Sequence, residues 1–297
     1  MRCSFYQVDV FTNIPFGGNP LAVVFDIEGL TSNTMQNIAR EMNLSETTFV
    51  SPPGNLPVDF CIRIFTPEKE LPFAGHPTLG TAHILRETGK VPPGDYSVKL
   101  AMKAGIVTVT QETKENLLFM TQPLPEFQLP LDCTEEVGEA LGIPTSNIKS
   151  ACYPMQIVST GLPALLVPII SLKALESIVI NTNRLSHVLA SLGTDIIYAF
   201  TDETIHPKAT IHSRAFAPRL GIAEDPATGS AAGAVGAYIY KNNIASGEEL
   251  KNIFIEQGYK MGRPSSLYVE IDQEADEIKS IRVGGESVTV IEGCIKT

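Results

Sequence analysis

The chain has 297 residues, 43% of them apolar, and its 33 acidic side chains outnumber its 22 basic ones to leave a formal net charge of −11. This balance argues against binding to nucleic acid or anionic membranes, since both depend on clustered lysine and arginine. The apolar content is enough for a buried core, but no apolar run approaches the roughly 20 residues of a membrane-spanning helix. The first residues alternate like a strand and not like a signal peptide, so we expect a cytoplasmic protein.

Strands dominate the predicted elements of the first half. Segments rich in β-branched and aromatic residues predict them, at residues 7–11, 21–25, 48–50, 59–65, 107–110 and 117–120. Two other segments have apolar residues at helical spacing. We predict one helix over 34–42, with Ser32 or Asn33 as its N-cap, and another over 78–86, opened by Pro77.

The second half contains a predicted linker, a buried strand and a buried helix. Three prolines within 122–130 indicate the linker. Residues 162–170 form a short apolar run that predicts a buried strand. Residues 229–239 are almost all small or apolar, and a helix without a polar face is a buried one. Each half is therefore predicted to wrap strands around a central helix, which is an α+β fold.

An internal repeat relates the two halves. Arg63-Ile-Phe-Thr-Pro67 recurs 151 residues later as Arg214-Ala-Phe-Ala-Pro218. His76-Pro-Thr-Leu-Gly-Thr-Ala82 is matched 149 residues later by Asp225-Pro-Ala-Thr-Gly-Ser-Ala231. Two ordered strings at nearly the same offset favour duplication, and so predict two similar domains with an interface between them.

His76 and Asp225 each stand before a Pro-x-x-Gly turn that leads into a predicted central helix. Helix N-termini attract anions, and Gly75, Gly80 and Gly229 would let the backbone approach a ligand closely. If the halves face each other, His76 and Asp225 lie across a cleft. There they could move a proton on an anionic small molecule.

Each candidate residue also has a purely structural interpretation. The His76 imidazole could be satisfied within a turn, Asp225 could cap its helix, and Arg63 and Arg214 could tie strands together. Glu46 could be a surface acid at the start of a strand. Alternatively, the apolar strand that follows carries Glu46 into a setting that raises the pKa of its carboxyl towards neutrality, which suits proton transfer.

The sequence lacks the common motifs for metals, cofactors and activated nucleophiles. It has no Gly-x-Ser-x-Gly elbow, no Gly-x-x-x-x-Gly-Lys loop and no His-Glu-x-x-His pair. Its five cysteines include no Cys-x-x-Cys pair, and its other four histidines show no metal-ligand spacing. We therefore predict a site without metal or cofactor, and free cysteines that are buried.

Further short motifs run in order along nearly the whole chain. They are Val8-Asp-Val-Phe-Thr12, Pro15-Phe-Gly-Gly-Asn-Pro20, Asn43-Leu-Ser-Glu-Thr47, Phe65-Thr-Pro67, Leu71-Pro-Phe-Ala-Gly-His-Pro-Thr78, Glu224-Asp-Pro-Ala-Thr-Gly-Ser230, Gln257-Gly258, Gly262-Arg-Pro-Ser265 and Val283-Gly-Gly285. In these motifs the chain resembles the PhzF-like (phenazine biosynthesis-like) family, relatives of diaminopimelate epimerase. The resemblance implies an epimerase-like fold of two pseudo-symmetric domains, each a barrel-like sheet around a central helix. The C-terminal strands would return to the first domain, so the domains would comprise 1–121 plus 280–297 and 129–279.

The resemblance also implies an isomerase that needs neither metal nor cofactor and forms a homodimer. The implied site residues are Glu46 as the acid/base, His76 and Asp225 as further catalytic groups, and Gly75, Gly229 and Ser230 as substrate-binding residues. In the phenazine enzyme the glutamate removes a proton from one ring carbon of a dihydro-hydroxyanthranilate and returns one to another carbon. The expected substrate here is a small carboxylate of that kind or an amino-acid-like one.

Two other functions stay open from the sequence. One is a two-base epimerase or racemase that uses His76 and Asp225. The epimerase relatives use two opposed cysteines for this chemistry, whereas Cys61 and Cys152 lie well before the motifs of this chain. The other is a small-molecule-binding or interaction protein that uses the same fold without catalysis.

Overall fold

A computed structural model describes residues 2–112, 117–150, 153–245, 247–275 and 277–297. The described strands are β1 Arg2–Val10, β2 Asn19–Val24, β3 Glu46–Ser51, β4 Phe60–Phe65, β5 Glu70–Leu71, β6 Ser97–Met102, β7 Gly105–Gln111, β8 Leu118–Gln122, β9 Glu126–Phe127, β10 Gln156–Ser159, β11 Pro163–Pro168, β12 Ile196–Thr201, β13 Ile211–Ala217, β14 Ile222–Asp225, β15 Asn252–Gln257, β16 Ser265–Glu274, β17 Glu277–Gly285 and β18 Ser287–Lys296. The described α-helices are α1 Ser32–Met42, α2 Gly75–Glu87, α3 Thr134–Leu141, α4 Leu172–Glu176, α5 Thr182–Leu192 and α6 Gly229–Lys241. The predicted α+β class is confirmed.

The chain divides into two compact units. The first comprises residues 1–121 and 284–297, and the second comprises residues 122–283. The predicted epimerase-like domains, 1–121 plus 280–297 and 129–279, stay a prediction. No α-helix within the described residues is long and apolar enough to cross a membrane.

In the first unit, strands surround α2. Strand β1 pairs antiparallel with β2 and β18, β2 pairs parallel with β3, and β3 pairs antiparallel with β4. Strand β4 continues antiparallel to β5 and parallel to β6. Helix α2 packs against β1, β2, β3, β7 and β18, and ten of its thirteen residues are buried. Helix α2 is therefore the central helix predicted for this half of the chain.

The second unit repeats this pairing order around α6. Strand β11 pairs parallel with β12, β12 antiparallel with β13, and β13 antiparallel with β14 and parallel with β15. Helices α1 and α5 each have 11 residues, and α2 and α6 each have 13. A separate apolar cluster under α3, α4 and α5 belongs entirely to this unit. The matching pairing order supports the internal repeat.

The structure corrects which residues of the two halves are equivalent. Ile64 pairs with Leu71 across β4 and β5, and Ala215 pairs with Asp225 across β13 and β14. Leu71 and Asp225 are therefore equivalent, because each is the last residue of a strand that ends four residues before a central helix begins. Counting on from these two positions makes Ser230 the equivalent of His76.

The predicted equivalence of His76 and Asp225 is wrong for a physical reason. Arg63 reaches its carboxylate partner seven residues later, at Glu70, whereas Arg214 reaches its own ten residues later, at Glu224. The second hairpin is three residues longer, so the offset between the halves grows from 151 to 154. The two His/Asp-Pro-x-x-Gly strings are similar in sequence but do not occupy equivalent positions in the two units.

Arg63 and Arg214 tie strands together, as their structural interpretation predicts. Arg63 donates Nε and Nη2 to the Glu70 carboxylate at 2.7 and 2.8 Å. Arg214 makes the same two bonds with Glu224, each 2.8 Å long. Each guanidinium also lies 5.0 Å from the ring centroid of the phenylalanine two residues later in its motif. Bidentate pairing with a carboxylate suits the planar guanidinium group.

Three smaller predictions also change. Thr31, and not Ser32 or Asn33, caps α1 by accepting a hydrogen bond from the Thr34 backbone N–H. Helix α2 begins at Gly75, two residues before the Pro77 that was predicted to open it. A Cβ on Gly80 would lie 2.7 Å from side-chain atoms of Leu21 and Val10. Gly80 therefore allows α2 to pack closely on β1 and β2, and it is not the ligand contact that the sequence predicts.

The cysteines are less uniform than predicted. Cys3 is buried, Cys61 and Cys133 are half-buried, and Cys294 is exposed. The prediction of buried thiols is therefore wrong for Cys294. Cys152 lies outside the described residues.

Candidate active site

Glu46 begins β3 and is buried, with a fractional exposure of 7%. It pairs with Leu21 across the parallel β2–β3 ladder, and the Thr47 and Thr48 that follow it are fully buried. Its strand lies between two others, and so the interpretation as an exposed surface acid is wrong. A carboxyl group in such a place is a candidate for chemistry, because burial of an acid costs free energy that a purely structural position would avoid.

His76 is the second residue of α2 and faces Glu46. Its Nε2 lies 3.3 Å from Glu46 Oε2, and both side chains are less than one-tenth exposed. Burial lowers the pKa of His76 to about 3, so the imidazole is neutral at pH 7. Within the part of the chain that the structure describes, no aligned hydrogen bond engages His76 Nε2.

The first turn of α2 adds to this pairing. Its N-cap residue, Ala74, has no side chain that could cap the helix. Gly75 begins the helix directly beside His76 and is buried. The Glu46 carboxyl group therefore faces a neutral imidazole at the N-terminal end of a helix.

Two buried polar residues, one on β1 and one on β2, were not singled out from the sequence. Asp9 is 1% exposed, and its Oδ2 accepts a 2.7 Å hydrogen bond from the Phe16 backbone N–H. Asn19 is fully buried, and its Oδ1 lies 3.4 Å from the Ser45 hydroxyl, one residue before Glu46. Both Asp9 and Asn19 belong to motifs that carry the family resemblance, and this is the sequence signal that could have identified them. They fix the loop between β1 and β2 beside the start of β3.

In the second unit the structure brings Asp225, Gly229 and Ser230 together in one short segment. Asp225 ends β14, Gly229 begins α6 and Ser230 follows it. Asp225 does not cap α6, since Thr228 is the N-cap. Instead the Asp225 carboxylate accepts a 2.6 Å hydrogen bond from the Thr228 hydroxyl.

The same segment depends on buried residues that sequence reasoning did not assign. Gln257, known from the sequence only as part of a Gln-Gly motif, is fully buried and bonds to both ends of the turn from Asp225 to Thr228. Tyr198 lies behind it and donates to its side-chain oxygen at 3.1 Å. Strand spacing alone could not reveal these contacts, because their partners are 29 to 59 residues apart in the chain.

Two further observations concern cavities and metal ligands. A cavity of about 710 Å³ in the first unit is lined by Val50, Ser51 and Pro52, at the opposite end of β3 from Glu46. Among the described residues, no three histidine, cysteine, aspartate or glutamate side chains form a group that could hold a metal ion.

Comparison with known proteins places this geometry in context. Residues 8–293 match the family model of phenazine biosynthesis-like proteins. The chain is 36% identical over 296 residues to the trans-2,3-dihydro-3-hydroxyanthranilate isomerase of Pseudomonas chlororaphis, with 97% of each chain covered. It is 36% identical over 293 residues to an uncharacterized isomerase of Mesorhizobium japonicum, with 96% of each covered.

Solved structures agree with these sequence matches. A phenazine biosynthesis protein of the PhzF family from Bacillus anthracis superposes with a TM-score of 0.89 at 30% identity, over the full length of both chains. A hydroxyproline epimerase from Agrobacterium vitis superposes with a TM-score of 0.65 at 12% identity, over 99% of this chain and 92% of that one. At that low identity the second likeness shows the fold alone. The predicted epimerase-like fold is confirmed.

Proposed function

The chain belongs to the phenazine biosynthesis-like family and is an isomerase, and from this premise we propose that it moves a proton within a small carboxylate substrate without a cofactor. Glu46 is the acid/base in this proposal. The observation that carries it is the buried pair of Glu46 Oε2 and His76 Nε2, 3.3 Å apart. A buried carboxyl group beside a neutral imidazole is a suitable proton carrier, since it is shielded from bulk water and lies next to a second group that can exchange a proton with it.

The proposed step conserves all atoms of the substrate. Glu46 takes a proton from one carbon, and the electron pair of the broken C–H bond enters the conjugated system of the substrate. The Glu46 carboxyl then returns the proton to a different carbon. For a dihydro-hydroxyanthranilate the product is an enol that becomes the ketone.

We place the substrate carboxylate at the helix N-termini that the repeat supplies. Gly75 and His76 open α2, and Gly229 and Ser230 open α6. Unpaired N–H groups and partial positive charge at such ends attract a carboxylate. Asp225 is the further polar group of this proposal, in the cleft that the repeat predicts between the two halves.

The repeat also supports one acid/base rather than two. Thr47 pairs with Phe65, and Ile197 pairs with Phe216, so Ile196 occupies the position in the second unit that Glu46 has in the first. The two-base alternative with His76 and Asp225 loses its argument from equivalence, because Asp225 corresponds to Leu71. The non-catalytic alternative is left to experiment.

Incorporation of deuterium from heavy water tests the proposal. The protein is incubated with trans-2,3-dihydro-3-hydroxyanthranilate and, separately, with a panel of amino-acid carboxylates. We expect uptake and product formation with one of them, and a loss of about 10²- to 10⁴-fold in Glu46→Gln, the range typical of an acid/base group. Glu41→Gln, an exposed acid of α1, is the matched control and keeps full activity.

Two outcomes would redirect the proposal. Exchange that survives Glu46→Gln but is lost in both His76→Asn and Asp225→Asn would favour the two-base reaction. Binding of a carboxylate without any exchange would favour the non-catalytic function. The proposed homodimer is tested separately by light scattering, and the proposed cytoplasmic location by cell fractionation.

A further inference from the structure

The segment from Asp225 to Ser230 connects β14 to α6 and carries three of the proposed site residues. We propose that two buried glutamines, Gln257 and Gln122, are positioning residues that hold this segment in its reactive geometry. The inference rests on the proposed function, because it concerns how Asp225 and Ser230 are presented to the substrate.

The Gln257 side chain makes four hydrogen bonds, three with this segment and one with Tyr198. Its Nε2 donates to the Asp225 backbone oxygen at 2.7 Å and to the Thr228 hydroxyl at 2.9 Å. Its Oε1 accepts from the Thr228 backbone N–H and from the Tyr198 hydroxyl, each at 3.1 Å. The amide orientation is determined, because a flip would set two acceptors against each other at Asp225 and two donors at Thr228.

Through Thr228 the same side chain also reaches the Asp225 carboxylate. The Thr228 hydroxyl accepts from Gln257 and donates to Asp225 Oδ2 at 2.6 Å. A hydroxyl that already accepts from Gln257 has its proton directed to the carboxylate. Gln257 therefore restrains both the backbone and the carboxylate of Asp225.

Gly258 lets β15 come close enough for these bonds. It has a φ of +81°, and a Cβ there would lie 2.6 Å from the Pro226 backbone oxygen and 2.3 Å from that of Arg263. Any other residue would be strained in conformation and would push against the turn. The Gln-Gly motif thus packs its glycine against the turn that its glutamine holds.

Gln122 holds the other end of the segment. Its Nε2 donates to the Gly229 backbone oxygen at 2.8 Å, and its Oε1 accepts from the Thr160 hydroxyl at 2.7 Å. A Cβ added to Gly233 would lie 2.0 Å from Gln122 Oε1. Any larger residue at position 233 would therefore collide with the Gln122 side chain. Gly233 therefore leaves room for Gln122 to reach the first turn of α6.

The test compares Gln257→Met and Gln122→Met with Gln156→Met. Gln156 is a buried glutamine of the same unit that donates to the Gln128 backbone oxygen, away from this segment. All three changes replace a buried amide by an apolar side chain of similar length. The measurements are kcat/KM on the substrate identified by deuterium uptake, and amide hydrogen exchange of residues 225–230.

We expect kcat/KM to fall by about 10- to 100-fold in the Gln257 and Gln122 variants, the effect of misplacing reacting groups by about 1 Å. Amide exchange of residues 225–230 becomes faster in both, while Gln156→Met changes neither measurement. Gln257→Glu adds a pH readout, because its protonated carboxyl restores one donor. Its activity relative to the unmodified protein therefore recovers as the pH is lowered. If Gln257→Met fails to fold, Gly233→Ala supplies the test by displacing Gln122.

Three results would overturn the inference. One is an equal loss of activity in Gln156→Met, which would indicate general destabilisation. The others are unchanged exchange of residues 225–230, and faster exchange with full activity. A protein that exchanges no proton on any substrate would instead refute the proposed function, and the exchange of residues 225–230 would still decide whether the two glutamines hold the segment.

Discussion

His76 is buried beside Glu46, and burial lowers the pKa of its imidazole to about 3. A neutral imidazole provides no fixed positive charge that would hold Glu46 ionised. It still lies next to the carboxyl group, with its Nε2 3.3 Å from Glu46 Oε2. The position of Glu46 in a predicted strand was readable from the sequence, but its burial and its partner required the packing of α2 on β3.

The depressed pKa of His76 predicts a pH dependence of stability. The unfolded chain takes up a proton at this residue near pH 6.5, whereas the folded chain does so only near pH 3. Above about pH 6.5 His76 is neutral in both states and does not lower the free energy of unfolding. As the pH falls from 6.5 towards 3, the free energy of unfolding decreases because of this residue by up to about 1.4 kcal/mol per pH unit. In His76→Asn the free energy of unfolding should fall less steeply between pH 6 and 4, measured by urea denaturation. His187→Asn, at an exposed position, is the control, and equal slopes in all three proteins would contradict the prediction.

The twin arginine pairs predict unequal effects from the same motif. The Arg214 and Glu224 side chains are 7% and 17% exposed, against 36% and 27% for Arg63 and Glu70. Arg214 also donates to the backbone oxygens of Leu175 and Ile178. Removing one partner of a buried pair costs about 3–5 kcal/mol, whereas a solvent-exposed pair contributes about 1 kcal/mol or less.

Arg214→Met should therefore destabilise the protein strongly and Arg63→Met only mildly. The measurement is the shift of the urea midpoint, and each variant is the control for the other. Similar shifts would mean that solvent screening does not distinguish the two pairs.

At the scale of elements, both central helices were predictable, and α6 begins at the predicted Gly229, whereas α2 begins at Gly75, three residues before its predicted start. The apolar composition of 229–239 identified α6 as buried, and the motif around Pro77 located α2. The correspondence between His76 and Asp225 was wrong because a short string can match out of phase when one hairpin is longer by three residues. Only the cross-strand pairs Ile64–Leu71 and Ala215–Asp225 decide which residues correspond.

Close packing of α6 predicts the effect of a glycine substitution. A Cβ on Gly236 would lie 2.7 Å from Val269 Cγ1 on β16, and valine has little freedom to move aside. Overpacking costs about 1–3 kcal/mol, more than the gain of about 1 kcal/mol in helix propensity. We expect Gly236→Ala to lower the melting temperature. Ser191→Ala, on the exposed face of α5, gains propensity without a clash and should not lower it.

At the scale of the whole molecule, the first unit is assembled from both ends of the chain. Strand β1 pairs with β18 from Arg2–Lys296 to Val10–Ser287. The second unit is continuous in sequence and contains its own apolar cluster. The resemblance to a known family implied this return of the C-terminal strands, whereas strand patterns alone could not, because β pairing between distant segments leaves no local signal.

This organisation predicts how the chain can be divided. Residues 122–283 should fold alone, whereas residues 1–121 should not, because β1 then lacks β18. Joining residues 284–297 to residue 121 through a short glycine-serine linker should restore the first unit, since Gly284 lies against Leu118. Dispersion of amide resonances and cooperative unfolding are the measurements. A well-folded 1–121 fragment would show that β18 is dispensable.

By itself, the sequence determined the family, the α+β class, the duplication and the identity of most candidate residues, because motifs and periodicity are local properties of the chain. The tertiary structure decided that Glu46 is buried against His76, that Ser230 corresponds to His76, and that Gln257 and Gln122 hold the segment between Asp225 and Ser230. These facts depend on contacts between residues tens of positions apart. Such contacts are set by hairpin length, strand register and helix packing, which no short segment of sequence specifies.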